Sequence, residues 1–172
     1  MSFARTLRPP VRRAVEADAE GWIEGYACLF DRVDLGRDSI APGAFARSLE
    51  TRGAAGVRLL YQHDPAEPIG VWTDIAEDEH GLFVRGRLAL DVRRGREVMN
   101  LARVGALDGL SIGFKAAAAR TDPRSRVRRI ARIDLWEVSV VTFPMQPQAR
   151  FALAMPAAFP ASRPAGAVRL QP

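Results

Sequence analysis

Lysine is almost absent from this sequence. Of 25 basic residues in a chain of 172, only Lys115 is a lysine and 24 are arginines. Cysteine is limited to Cys28, which excludes an internal disulfide framework and fits a reducing compartment. Histidine is nearly as scarce, with only His63 and His80. So few soft ligands argue against a histidine/cysteine metal cage, and no cofactor is expected. No run of about 18 apolar residues occurs, which excludes a transmembrane helix and with it a membrane partner. The start, MSFARTLRPPVRR, is basic but lacks the apolar stretch of a secretory signal. Aromatics make up 8%, and no strand interleaves them with basic residues. That argues against a nucleic-acid-binding barrel and against nucleic acid as a partner.

What is present suits one domain with a real core, at 48% hydrophobic and 26% charged. The net charge of +5 would suit an acidic partner. A chain rich in arginine and alanine is equally what GC-rich coding produces, so the charge assigns no function.

Read along the chain, residues 1–13 form a basic arm containing Pro9-Pro10. GWIEGYACLF (21–30) alternates as a strand does. A loop rich in Asp, Gly and Pro follows, and a short helix starts after Pro42, with Ala44, Phe45, Ala46 and Leu49 in it. VRLLYQHD (57–64) reads as a strand. Two further strands flank Asp78-Glu79-His80-Gly81, a hairpin turn. Asp91 is placed to cap a helix carrying Val98, Leu101, Ala102 and Gly105 at helical spacing. Residues 109–120 and 127–143 read as two more strands. From Pro144 onward, half of the 12 prolines fall within 29 residues, which predicts a flexible tail. The expected organisation is an arm (1–13), a domain (14–150) and a Pro/Ala-rich tail (151–172). Short strands with two helices predict a small β-barrel or a β-rich α+β domain.

Three residues stand out within it. Glu137 lies mid-strand on a face with Ile133, Leu135, Ser139, Val141 and Phe143, where a buried carboxylate needs a partner. An edge strand in water, or a pair with one of the arginines, would also account for it. His63 ends a strand on the face of Val57, Leu59 and Tyr61. There it is either a satisfied polar residue or a base, whereas His80 falls in an exposed turn. Ser111 lies in Gly109-Leu110-Ser111-Ile112-Gly113. This matches the nucleophile elbow G-x-S-x-G, but that fold needs its histidine after the serine, and both histidines precede Ser111. A glycine-flanked serine on a strand remains, as a nucleophile approached closely by a substrate or as a small polar residue. Together the three supply a nucleophile, a base and an acid, the set that acyl transfer needs.

The ordered blocks GYACLFDRVD, IAPGAFARSL, LLYQHDPAEPIGVW, ALDGLSIGFKA and LWEVSVVTFPMQPQA closely resemble the HK97-type phage prohead protease family over roughly residues 20–150. Phage-derived gene transfer agents carry similar proteases. The resemblance implies a herpesvirus-protease-like fold, a β-barrel surrounded by helices. It implies a serine endopeptidase that cleaves scaffold segments of the major capsid protein, and itself, during prohead maturation. Ser111 is then the nucleophile, His63 the general base and Glu137 the acid that orients it. Trp72, Phe114 and Trp136 are expected to pack the barrel or its helices, and N–H groups near Ile112 and Gly113 to hold the oxyanion. The implied partner is the major capsid protein or its scaffold segment, with self-association as a further expectation. The implied place is the bacterial host cytoplasm, inside the assembling prohead. A catalytically idle capsid scaffold or docking module is the alternative.

Overall fold

Alternation in the first aromatic stretch produces β1 (Trp22–Leu29), which buries Ile23, Ala27 and Cys28. The computed structural model describes residues 21–155. The arm 1–13, the domain start at residue 14 and tail residues 156–172 lie outside them. β2 (Asp38–Ile40) follows, then α1 (Ala46–Arg52) and a 3-10 turn (Ala54–Gly56). β3 (Arg58–Tyr61) leads by a two-residue turn into β4 (Asp64–Glu77), which pairs with β5 (Gly81–Leu88). After α2 (Arg93–Arg103) come the long β6 (Gly109–Thr121) and β7 (Arg128–Val141), and last β8 (Phe151–Leu153).

The eight strands form one sheet in the order β2-β7-β3-β4-β5-β1-β8, with β6 on the other edge of β7. β7 runs parallel to β2 and β3 and antiparallel to β6. The sheet curls until its ends touch. β8 pairs with β1, and Arg150 bridges Gly109 at the start of β6. Leu110 N donates to Ala149 O at 3.0 Å and Phe151 N to Asp108 O at 2.8 Å. The result is a β-rich, barrel-like sheet with two helices, as expected. Ile23, Leu59, Ile69, Leu82, Leu110 and Leu135, all at most 1% exposed, belong to the buried core.

Both helices cover the sheet. Phe45, fully buried, precedes α1, and Ser48 Oγ accepts a bond from Leu135 N at 2.9 Å, tying α1 to β7. α2 buries Gly95, Val98 and Met99.

Several details depart from the sequence reading. Val92, not Asp91, is the N-cap of α2, and no side chain caps it. Arg96 instead reaches back to Leu90 O and Asp91 O. Met99 takes the buried position expected for Leu101, which is 41% exposed. Trp72 is buried, but Trp136 is 55% exposed and packs no interior. Its indole donates to Asp134 Oδ2 of its own strand. Finally, Phe151–Leu153 is a strand, although composition places it in the tail. Alternation puts Phe151 in the core at 6% exposure, and that burial outweighs the Pro/Ala bias around it.

Candidate active site

β7 gathers the three candidates. Ser111 of β6 pairs directly with Ser139 of β7, and Gly113 with Glu137. Successive residues of a strand alternate faces, so Ser111, Gly113, Glu137 and Ser139 share one face. On the opposite edge, β3 sets Arg58 against Glu137 and Leu60 against Ser139. The turn after β3 then carries His63 over this row.

That turn explains why strand periodicity misplaces His63. Tyr61 pairs with Asp64 across a two-residue loop, and Gln62 and His63 have φ of 55° and 61°. Two positive φ values define a hairpin turn of the I′ kind. His63 therefore leaves the strand face and bends toward β7. Gln62 anchors the bend: its N–H donates to Val140 O at 2.9 Å and its Nε2 to Thr142 Oγ1 at 2.7 Å.

His63 Nδ1 lies 2.6 Å from Glu137 Oε1. The carboxylate accepts the Nδ1 proton, which leaves Nε2 as the basic atom. The bond to Glu137 raises the pKa of His63 above its ordinary 6.5, while partial burial opposes the rise. The Glu137 side chain is 13% exposed and that of His63 41%, so the pair sits at the rim of the sheet. Glu137 Oε2 accepts a hydrogen bond from Ser139 Oγ. Gly113 makes room, because a Cβ there would collide with the Glu137 carboxylate.

Ser111 is 5% exposed. Among the described residues, nothing hydrogen-bonds its Oγ. It borders a cleft of about 130 Å³ walled by Ile40, Leu110, Ile112, Phe114 and Met145, with Asp34 on its polar side. Burial raises the Asp34 carboxyl above its ordinary value. Cys28 also lines this cleft, but burial pushes its thiol up to about 12, so it stays protonated. His80 stands apart in the β4–β5 turn, 63% exposed and 3.6 Å from Glu79.

The backbone separates the two expected oxyanion donors. Leu110 N points away from β7, toward Ala149. By alternation Gly113 N faces β7 and Ile112 N faces the outer edge of β6. Beyond the bridge to Arg150, no described strand pairs with that edge. Sequence reasoning missed Ser139, Gln62 and the room that Gly113 leaves for Glu137. Ser139 was visible as the residue two places after Glu137 on its face, but a small hydroxyl there reads as packing.

A serine on the sheet face of an imidazole–carboxylate pair supplies the side-chain types that serine hydrolases use, although among the described residues no hydrogen bond joins Ser111 to His63 or Glu137. The family model described as Caudovirus prohead serine protease matches residues 10–158, and the chain belongs to that family. The prohead protease of Enterobacteria phage HK97 is 36% identical over 138 residues, covering 77% of this chain and 60% of that protein. The prohead protease of Escherichia phage T5 is 31% identical over 96 residues, covering 56% of this chain and 45% of that protein. The chain thus spans less than two thirds of the length of either relative. The solved bacteriophage T4 capsid assembly protease aligns with a TM-score of 0.56 at 17% identity, over 72% of this chain and 82% of that one. That likeness is one of fold.

Proposed function

We propose that this chain is a serine endopeptidase of capsid maturation, with Ser111 as nucleophile, His63 as general base and Glu137 as orienting acid. The observation that carries this reading is the 2.6 Å His63–Glu137 bond on the face that holds Ser111. With Nδ1 committed to Glu137, His63 Nε2 takes the Ser111 proton as Oγ attacks the scissile carbonyl carbon. The negative charge then passes to the carbonyl oxygen, for which the outward-facing Ile112 N–H is the candidate donor. Gly113 N–H faces the ladder and is not free for this task. His63 next protonates the leaving amine, and water attacks the acyl-serine to regenerate Oγ–H. Glu137 stabilises the imidazolium formed in between. The cleft beside Ser111 has room for one substrate side chain.

Family membership supports the substrate class: scaffold segments of a major capsid protein, and the chain itself, inside an assembling prohead in the host cytoplasm. The protease domain then extends from about residue 14 through β8, and self-association belongs to the same reading.

The test is co-expression of the chain, or its Ser111→Ala variant, with a major capsid protein carrying its scaffold segment. Intact mass should show a shortened capsid protein with the parent chain and a full-length one with Ser111→Ala. Circular dichroism should be the same for both chains. The expected loss is about 10⁶-fold in turnover. Continued cleavage by a folded Ser111→Ala protein would reject the assignment.

A further inference from the structure

The two oxygens of Glu137 hold different partners. Oε1 faces His63 Nδ1, and Oε2 accepts the Ser139 hydroxyl proton. Ser139 is 0% exposed, lies two residues beyond Glu137 on the same face of β7, and pairs with Ser111. We propose that Ser139 is a positioning residue for the acid: its hydroxyl pins Oε2 so that Oε1 stays aimed at the imidazole. The proposal rests on the Ser111–His63–Glu137 reading and adds a fourth side chain to it.

The physical need comes from the glutamate side chain. Its last torsion is broad and roughly two-fold, so one hydrogen bond at Oε1 leaves the carboxylate free to turn. Gly113 supplies open space rather than a wall on the β6 side. Ser139 supplies the missing restraint from a rigid strand position. A fully buried hydroxyl must also find a partner, and Glu137 is that partner. Burial and a committed proton keep Ser139 from acting as a second nucleophile. Ser111 has the cleft and the unengaged Oγ.

Other charges near the pair are accounted for. Arg58, across from Glu137 on β3, donates to Ala55 O. Asp64, following His63, accepts from Ala66 N. Lys115, two residues beyond Gly113 on β6, is set opposite Asp134. Among the described residues, none of these hydrogen-bonds His63 or Glu137.

The chain has two histidines, so nuclear magnetic resonance resolves both imidazole titrations, with His80 as internal reference. In the Ser111→Ala background, which prevents self-cleavage, Ser139→Ala should lower the His63 pKa by about half a pH unit. His80 should not move. With Ser111 intact, Ser139→Ala should lower kcat about ten-fold and leave KM unchanged. In a Glu137→Gln background it should cost nothing more, because Ser139 acts through the carboxylate. Should Ser139→Ala fail to fold, the isosteric pair Ser139→Thr and Ser139→Val makes the same comparison, with titration and rate kept by Thr and lost by Val. An unmoved His63 titration, or a loss that adds fully to that of Glu137→Gln, overturns the proposal. The titration needs no activity, so a failure of the protease reading would show separately, as cleavage by Ser111→Ala.

Discussion

Gly113 contributes to this site by having no side chain. Its neighbour across the ladder is Glu137, and the carboxylate occupies the space where a Cβ would stand. Gly113 lies outside the set of positive-φ glycines, so its backbone conformation is open to alanine and only space forbids the change. Gly113→Ala should therefore displace the carboxylate from His63 while the sheet still forms. The expected result is a fall of about 10² or more in kcat/KM with an unchanged circular dichroism spectrum. A Gly113→Ala variant as fast as the parent would mean that Glu137 has another working seat. The sequence pointed to Glu137 because a carboxylate among apolar residues is conspicuous, and to His63 because the chain has so few histidines. The roles of Gly113 and Ser139 around the carboxylate gave no such signal. Each matters only through a neighbour on the adjoining strand or two places along, and pairing partners are absent from a linear pattern.

Two short elements show what periodicity hides. The Gln62-His63 turn places two non-glycine residues at positive φ, a conformation that costs roughly 1–2 kcal/mol per residue. The Gln62 bonds to Val140 and Thr142 hold the bend in place. A strand-face reading carries His63 straight past Tyr61, because alternation contains no information about where a chain bends. β8 is the second case. Its surroundings are alanine and proline, yet β8 pairs with β1, and the adjoining bridge from Arg150 to Gly109 brings the sheet ends together. Phe151 anchors that closure from the core. Phe151→Ala should cost about 3–5 kcal/mol, read by urea unfolding in the Ser111→Ala background. A cost under about 1 kcal/mol would return this segment to the tail that composition suggested. The long strands and α2 were legible because their periods are sustained, whereas the short α1 begins at Ala46, after the Ala44 and Phe45 that the sequence reading put inside it. β2, with three residues, was too short to show one.

At the scale of the whole molecule, the proposed mechanism makes one ionisable pair link activity to stability in opposite directions. Glu137 raises the His63 pKa in the folded chain above its ordinary 6.5. A raised histidine pKa stabilises the fold fully below the unfolded value, and the contribution is lost as pH rises through the folded value. As the proposed general base, His63 must be neutral, so kcat/KM should climb through that same raised pKa. The proposed base thus becomes available over the window in which the charged pair ceases to help hold the turn after β3 against β7. Glu137→Gln separates the two effects. It removes the cause of the shift and leaves the partial burial that lowers the pKa, so the rise in kcat/KM should move to lower pH, on a rate reduced by about 10²–10⁴. In the Ser111→Ala background, urea unfolding should read the stability lost on adding Glu137→Gln. That loss should be largest below about pH 6.5 and shrink as pH rises. A loss that grows toward alkaline pH would mean that Glu137 acts on the fold through something other than His63.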